Sequence, residues 1–222
     1  MKRALLTLLA AALFATPAWA VEDGGKVKLP EPERSGGMSL LEALEKRSSS
    51  REFDGKADLT EQDLSTLLWG TAGNNRPDGF KVYPTALNVQ DMTIYVFKRD
   101  GVYRYDEAEH ALILTVEGDH RAESGKQPYV GSAAVNLVCV QDAARWKADR
   151  MPVDIPAEAI RDCGRIHSGA IMQNASLCAA ARGWSAVPRT SFDNASLAKL
   201  LNLKEGQSVT LVLSIGPAPT KQ

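Results

Sequence analysis

The sequence lacks a surplus of charge of either sign, because 26 Lys and Arg stand against 27 Asp and Glu, for a formal net charge of −1. A large positive surplus is what draws a protein to nucleic acid or to an anionic membrane, and neither partner is expected here. A glycine-rich turn of the GxGxxG type is also lacking, which excludes the usual dinucleotide-binding signature. The 222 residues suffice for one domain with a substantial core.

Cysteine is scarce, and the spacing of Cys139, Cys163 and Cys178 matches no metal-ligand pattern. An odd number leaves at least one thiol without an intramolecular partner. Cys163 and Cys178 lie in one predicted helix, where their separation corresponds to roughly 22 Å, so any disulfide must use Cys139. The favoured interpretation is that all three are small buried hydrophobic residues, and no metal site is predicted.

The N-terminal apolar run is too short to anchor the chain in a membrane. It covers residues 4–15, about 12 residues, against the roughly 20 that a spanning helix needs. Lys2 and Arg3 precede it, and an Ala-Trp-Ala sequence follows at residues 18–20. This pattern predicts a secretory signal peptide over residues 1–20, cleaved at its end. The mature protein is expected to be soluble and exported, to the periplasm if the source is Gram-negative, with no membrane anchor.

Beyond the signal peptide, the sequence predicts an arm and one domain. Residues 21–38 are rich in Gly, Pro and charge, and are interpreted as an N-terminal arm or linker with little regular structure. The domain is expected over residues 39–222. It contains no internal repeat, and its mixture of helical and strand periodicity predicts an α+β fold.

The domain is predicted to begin with two helices. Ser39 and Glu42 form a capping-box pattern, and this helix ends near Arg47. One of its faces carries Leu40, Leu41 and Leu44. A second helix starts at Thr60 and is expected to turn three leucines inward, Leu64, Leu67 and Leu68.

Strands are predicted in the middle of the chain and at its end. Short runs rich in Val, Ile, Tyr and Leu mark four of them, at residues 92–98, 101–105, 111–115 and 134–141. Helical spacing then predicts a long, largely buried helix over residues 156–182, ended by Gly183. The last predicted elements are a strand at 186–188, a short helix capped by Asp193 and a strand at 208–215.

A basic, hydroxyl-rich segment follows the first predicted helix. Residues 47–53 read Arg-Ser-Ser-Ser-Arg-Glu-Phe. Two guanidinium groups and several hydroxyls at a helix end can hold a phosphate dianion through charge-assisted hydrogen bonds. The candidate phosphate ligands are Arg47, Ser48, Ser49 and Arg51. A solvated basic loop is the alternative interpretation.

A second segment, residues 84–90, reads Pro-Thr-Ala-Leu-Asn-Val-Gln. Pro84 restricts the backbone, and Asn88 offers both a donor and an acceptor, as the uracil-like edge of a flavin ring requires. The preceding loop, residues 73–79, contains Asn74 and Asn75 between glycines. Ordinary turn chemistry is the alternative explanation for these two asparagines.

Two further segments complete a recognisable order. The third segment reads Gly-Ala-Ile-Met-Gln-Asn at residues 169–174 and Trp-Ser-Ala-Val-Pro-Arg-Thr-Ser-Phe-Asp at residues 184–193. The fourth segment, residues 209–217, ends in Gly-Pro. Taken together over residues 39–217, the four segments resemble the FMN-binding signatures of the nitroreductase family. The loop at residues 73–79 is similar to that of the subgroup related to SagB-type dehydrogenases.

The resemblance implies a nitroreductase-like FMN-binding fold, with a central, mostly antiparallel sheet flanked by helices. It also implies an intertwined homodimer that binds two FMN molecules at its interface. The expected cofactor-binding residues are Arg47, Ser48, Ser49, Arg51, Pro84, Thr85, Ala86, Asn88, Pro188, Arg189, Thr190 and Ser191. Backbone N–H groups of the short strand that contains the last four are expected to point at flavin N5 and O4, where they stabilise the charge of the reduced ring.

Three residues depart from the family pattern. Thr85 replaces the usual Ser, and Thr190 and Ser191 stand where many relatives have Glu-Gly or a similar pair. Lys221 is the one basic candidate for the phosphate at the end of the sequence, and a frayed tail is the favoured interpretation of it. Gln173 and Asn174 are expected in buried or dimer contacts.

The implied activity is two-electron transfer through flavin N5 to or from a small nitro, quinone or dehydrogenation substrate. No side chain is expected to act as acid or base, and His110, His120 and His167 are interpreted as surface or packing residues. Export removes the usual nicotinamide donors and favours an envelope redox partner. Two alternatives stay open: a flavin- or ligand-binding protein without turnover, and an interaction protein that has lost FMN.

Overall fold

The computed structural model describes residues 21–22, 25–147 and 154–220. The predicted signal peptide and Lys221 lie outside the described residues. Within these described ranges, no helix has both the length and the apolar character needed to cross a membrane.

An antiparallel sheet of eight strands organises the described part of the chain. The strands are β1 (Val21–Glu22), β2 (Lys26–Lys28), β3 (Met92–Phe97), β4 (Gly101–Asp106), β5 (Ala111–Glu117), β6 (Val135–Asp142), β7 (Trp184–Arg189) and β8 (Gln207–Pro217). Their spatial order is β1-β2-β5-β4-β3-β6-β8-β7, and every neighbouring pair is antiparallel. The prediction of an α+β fold with a mostly antiparallel sheet is confirmed.

Four α-helices flank this sheet in the described ranges. They are α1 (Leu40–Lys46), α2 (Glu61–Ala72), α3 (Ala157–Ala181) and α4 (Asn194–Leu200). The long helix α3 packs on β7 and β8 and receives α1 and α2 on its other side. The larger hydrophobic core lies between these helices and the sheet, and a smaller one lies under α4.

Local sequence signals account for the helix boundaries. The Ser39 hydroxyl accepts from the Glu42 N–H, and the Glu42 carboxylate accepts from the Ser39 N–H, which completes the predicted capping box. Asp193 accepts from the Ser196 N–H at 2.7 Å and so caps α4. After α3, Gly183 adopts the left-handed conformation at φ 69° that a helix-ending glycine favours. These predictions are confirmed.

The arm is more ordered than the sequence analysis predicted. Lys26–Lys28 form β2 and pair with β5, with Val27 opposite Leu112. Alternation along this strand directs Val27 and Leu29 to the same side, and both are buried in the larger core. The expectation of little regular structure over residues 21–38 is therefore wrong for this stretch, because two alternating apolar side chains outweigh the surrounding polar composition.

The leucines of α1 point outward, whereas those of α2 point inward as predicted. Leu64, Leu67 and Leu68 of α2 are at most 1% exposed. In α1 the buried residue is Ala43, while Leu40, Leu41 and Leu44 are 64%, 77% and 46% exposed. One chain thus leaves an apolar helix face uncovered.

All three cysteines are free thiols, but only one is fully buried. Cys139 lies in the centre of β6, and burial raises the pKa of its thiol. Cys163 and Cys178 both lie on α3, as expected, and both are partly exposed. The interpretation as buried hydrophobic residues is therefore confirmed for Cys139 and holds only in part for the other two.

Candidate cofactor-binding site

The basic segment after α1 runs along the outer edge of β7. The Ser50 N–H donates to the Ala186 carbonyl at 3.0 Å, and the Ser185 hydroxyl donates to the Ser50 hydroxyl at 3.0 Å. Phe53 packs against Val187 in a small apolar cluster that anchors the far end of the segment. In the described sheet β7 pairs with β8 on one side only. The structure therefore brings the first predicted segment next to residues 184–189 of the third.

Two arginines of this segment have guanidinium groups that remain available. Arg51 is exposed and Arg47 is half-buried, and Ser48 and Ser49 are exposed beside them. Within the described residues, neither guanidinium forms an ion pair or a hydrogen bond, and no carboxylate neutralises the pair. Cations without a protein partner in the described residues are available to bind a dianion such as a phosphate.

The outer edge of β7 also presents free backbone donors. Because Ala186 bonds outward to Ser50, alternation directs the backbone of Pro188 and Thr190 outward as well. Proline is tolerated at such an edge position, since its missing N–H removes no ladder bond. The N–H groups of Thr190 and Ser191 donate to no atom in the described part of the chain, and both residues are exposed. They can donate to a ligand lying against the end of β7.

A cavity of about 370 Å³ opens between α3 and this end of β7. Its lining residues are Gly169, Met172, Gln173, Ser176, Pro188, Arg189, Thr190 and Leu211. A second cavity of about 510 Å³ shares Thr190 and continues toward α4, with Arg161, Arg165 and Phe192 in its wall. Thr190 thus lines both cavities.

The side chain of Arg189 stabilises the fold and does not face the outer edge of β7. Its side chain is 6% exposed and donates to the Ser124 carbonyl and hydroxyl, to Asn136 Oδ1 and to the Ser214 hydroxyl. Burial lowers the pKa of its guanidinium to about 10. Its backbone faces β8, opposite Val212. The side chain and the N–H of Arg189 are therefore directed away from the place that the prediction gave them.

The second predicted segment, residues 84–90, lies on the opposite side of α3. His167 Nε2 accepts from the Ala86 N–H at 2.9 Å, and Asn174 Nδ2 donates to the Val82 carbonyl at 3.4 Å. At about 100° per residue, His167 and Asn174 share one helix face, and the cavity residues of α3 lie on the opposite face. Within one chain, this segment does not reach the edge of β7.

The backbone of residues 84–90 is held in an unusual conformation. Leu87, Asn88 and Gln90 have φ values of 51°, 53° and 48°. Such left-handed geometry is strained for a residue like Leu, and it persists where the surroundings hold it. Leu87 is 57% exposed, so burial of its side chain does not explain the conformation.

Two residues of this region, Asp91 and His167, were missed as a pair by the sequence analysis. His167 is 3% exposed, and its Nδ1 lies 2.7 Å from Asp91 Oδ1. The prediction of a packing residue is right in so far as His167 is buried, but the side chain also binds the candidate flavin segment. A histidine on the buried stripe of α3 was the signal in the sequence. Its partner could not be identified, since the two residues are 76 positions apart.

The other two histidines and the Asn-rich loop have structural explanations. His110 bridges the Ser65 hydroxyl and the Tyr105 hydroxyl at 2.8 Å each, and His120 pairs with Glu123. Asn74 forms a β-bridge with Lys81, as the turn interpretation of this loop expects. Among the described residues, no group of three or more His, Cys, Asp and Glu could hold a metal ion.

Comparison with known proteins identifies the family to which this fold belongs. The family model described as "Nitroreductase family" matches residues 44–217. A protein of Methanocaldococcus jannaschii, named as a candidate nitroreductase, is 29% identical over 195 residues, covering 82% of this chain and 92% of its own. The chain belongs to the nitroreductase family.

Solved structures agree with this assignment. A crystal structure of a candidate nitroreductase from Ralstonia eutropha is 33% identical and has a TM-score of 0.81, with 93% of this chain and 96% of that chain covered. A candidate nitroreductase from Exiguobacterium sibiricum, solved in complex with FMN, has a TM-score of 0.58 at 16% identity, with 85% and 94% covered. The E. coli microcin synthetase McbBCD complex has a TM-score of 0.63 at 16% identity, with 86% and 77% covered. These last two similarities concern the fold alone.

Proposed function

We propose that the protein is an exported, FMN-dependent oxidoreductase that transfers two electrons to or from a small organic substrate. The observation that carries this proposal is the row of free donors along the edge of β7. The Arg47 and Arg51 guanidinium groups lie at one end of it, and the Thr190 N–H lies at the other, beside the cavity. When bound, FMN would supply the two-electron chemistry through its N5 atom.

The residues of the edge fit the parts of FMN. Arg47 and Arg51, with the hydroxyls of Ser48 and Ser49, would neutralise and orient the phosphate. The N–H groups of Thr190 and Ser191 would donate to the ring, where preorganised donors favour added negative charge. Met172 and Leu211 give the cavity an apolar wall for the ring. No acid or base residue is required of the protein.

The remaining candidate ligands are proposed to come from a second copy of the chain. Pro84, Thr85, Ala86 and Asn88 lie across α3 from the edge of β7, so one chain cannot bring them to the same flavin. The exposed Leu40, Leu41 and Leu44 form an apolar helix face that a second copy would cover. Both features support an intertwined homodimer with two shared sites.

The substrate is proposed to be a nitro compound, a quinone or a molecule that undergoes dehydrogenation. The 510 Å³ cavity beyond Thr190 offers room for it next to the ring. The loop at residues 73–79 supports a relation to the SagB-type dehydrogenases, as far as sequence pattern goes. The signal-peptide pattern supports a periplasmic protein whose electrons are exchanged with an envelope redox partner rather than with nicotinamide nucleotides.

The decisive test of cofactor binding is the visible spectrum of the purified protein after addition of FMN and gel filtration. We expect retained flavin bands, bleached by dithionite and restored by a quinone or nitro compound. A colourless protein would favour the FMN-free interaction protein. Flavin that reoxidises at a rate independent of added acceptor would favour the binding protein without turnover.

A second experiment identifies the electron donor. Anaerobic stopped-flow reduction of the bound flavin is compared for NADH, NADPH and a reduced quinone at equal concentration. We expect slow reduction by both nucleotides and fast reduction by the quinol. Saturable reduction by NADPH at about 10 per second, a typical enzymatic rate, would contradict the proposed envelope donor.

A further inference from the structure

Both ring nitrogens of His167 are engaged by groups that determine its protonation. The Ala86 N–H donates to Nε2, so Nε2 carries no proton in this arrangement. The proton is therefore on Nδ1, which donates to Asp91 Oδ1 at 2.7 Å. Only the neutral Nδ1–H tautomer satisfies both neighbours, because a protonated Nε2 would face the Ala86 N–H.

The surroundings of Asp91 favour this tautomer of His167. Its carboxylate is buried, and its second oxygen accepts from Gln141 Nε2 and from Trp146 Nε1 at 2.8 Å each. Burial by itself would raise the pKa of Asp91, but the hydrogen bonds from His167, Trp146 and Gln141 outweigh it and lower the pKa. A charged Asp91 with fixed donors orients the imidazole ring and keeps the Nε2 lone pair toward Ala86.

The bond to Ala86 is made at the start of the strained backbone. Leu87, Asn88 and Gln90 follow with positive φ. The Gln90 N–H donates to the Thr85 hydroxyl at 3.2 Å, and the Gln90 carbonyl accepts from Arg145. His167 thus fixes one end of the segment to α3, and Arg145 fixes the other. Between these two points Leu87 and Asn88 are directed toward solvent.

We propose that His167, oriented by Asp91, is a positioning residue that sets the conformation of residues 84–90 and thereby prepares Asn88 for flavin. This inference rests on the proposed FMN site. It assigns to His167 a function in cofactor binding without contact between the imidazole and the cofactor.

Other charged and titratable groups lie around the pair and must be controlled for. Cys163 on α3 and Tyr83 before the segment both interact with Asp91. Arg145 lies on the short 3-10 helix Ala143–Arg145 and binds Gln90 directly.

The experiment compares His167→Gln with His167→Leu. Glutamine places an uncharged acceptor near the position of Nε2, whereas leucine fills the space without an acceptor. We expect FMN affinity within about threefold of wild type for His167→Gln and about tenfold weaker for His167→Leu at pH 7.5, as the loss of one buried hydrogen bond implies. Equal FMN affinity of wild type and both variants would overturn the proposal.

Rescue by glutamine provides a readout that packing alone would not move. An FMN affinity of His167→Gln as low as that of His167→Leu would overturn the proposed role of the ring as an acceptor.

A measurement without FMN separates this inference from the proposed function. In the flavin-free protein, the NMR signal of the Ala86 amide should be displaced in His167→Leu and should stay close to its wild-type position in His167→Gln. If wild type binds no FMN yet the amide behaves in this way, the proposed function fails while the positioning of the segment stands. If His167→Leu does not fold, the Ala86 amide and the FMN affinity of His167→Gln decide. An Ala86 amide signal that is the same in wild type and His167→Leu would overturn the inference.

Discussion

Along the outer edge of β7 polar groups remain unbonded, whereas residues 84–90 are fixed at both ends by side chains from elsewhere in the fold. Thr190, Ser191, Arg47 and Arg51 all retain donors without a partner among the described residues. The second region has the His167 bond at Ala86 and the Arg145 bond at Gln90. Both regions were expected to contact flavin, but they are built in different ways.

The two regions differ in how much each destabilises the folded protein when no ligand is bound. Unbonded donors on an exposed edge are satisfied by water, so they cost little in the free protein and remain available to a ligand. A strained segment costs free energy that its surroundings must offset. The edge of β7 is therefore suited to binding a negatively charged phosphate and ring. Residues 84–90 are suited to holding one fixed backbone conformation.

The sharpest test of the comparison sets Arg189 against Arg51. Arg189→Met removes a buried cation together with its hydrogen bonds to Ser124, Asn136 and Ser214. We expect a loss of at least about 3 kcal/mol in the free energy of unfolding, as for other broken buried charge networks. Urea unfolding of the flavin-free protein measures it. Arg51→Met should change the free energy of unfolding by less than about 0.5 kcal/mol. Equal losses in the two variants would show that Arg51 stabilises the fold as much as Arg189 does.

The edge itself is tested by Arg47→Ala and Arg51→Ala. Each should weaken FMN binding by about 10- to 100-fold, because a charge-assisted hydrogen bond contributes about 1.5 to 3 kcal/mol. Fluorescence titration gives the affinity. The control is Arg104→Ala on β4, which is separated from β7 by β3, β6 and β8. Unchanged affinity in both edge variants would favour the interpretation as a solvated basic loop.

The dependence of the second region on a partner chain is tested at α1. Leu41 is 77% exposed, so Leu41→Asp should leave the fold of one chain intact while disfavouring an apolar interface. We expect a shift from dimer to monomer in light scattering and a loss of FMN affinity of about tenfold or more, since each burial of a leucine is worth about 1.5 to 3 kcal/mol. Lys46→Glu, on another side of the same helix, is the control. A wild-type protein that binds FMN as a monomer would contradict the shared site.

The smallest expected effect concerns His110, which contacts Ser65 of α2. His110 lies between Ser65 and Tyr105, and its pKa is lowered, first of all because burial disfavours the imidazolium. The unfolded state therefore binds a proton more readily, so stability is greatest above pH about 6.5 and falls as the pH is lowered from there.

The slope from this one histidine is at most about 1.4 kcal/mol per pH unit. His110→Asn should flatten the dependence between pH 7 and 5, and asparagine tolerates the positive φ of 48° at this position. The difference between the two proteins isolates His110, because His120, whose pKa is raised by Glu123, is present in both. A steeper pH dependence in the variant would show that the sign is wrong.

Much of the fold could be predicted because its signals are local. The capping box at Ser39, the cap at Asp193 and the inward leucines of α2 all depend on residues within a few positions of each other. The strands of the middle region were also located to within two residues. The arm was mispredicted because its order depends on β5, far along the chain, which pairs with Val27 and covers it.

The candidate site was predicted less evenly. Arg47, Arg51 and Thr190 retain free donors near the edge of β7 and stay predicted ligands, since exposed loops after regular elements can be located from the sequence. Arg189 looked equally suitable by sequence. Its side chain is buried because alternation along β7 turns it toward Asn136 and Ser214, and the sequence of β7 contains no sign of that acceptor set.

By itself, the sequence determined the order of the elements, the ends of the helices and the basic segment beside a short strand, because hydrogen-bonded turns and periodic burial are encoded by near neighbours. Only the tertiary structure decided which polar groups stay available to a ligand and which are hydrogen-bonded inside the protein. Bonds between residues as distant as Asp91 and His167 set the conformation of residues 84–90. The reason is physical: a buried polar group must find its partner in three dimensions, and that partner lies wherever the packed fold brings a donor or an acceptor.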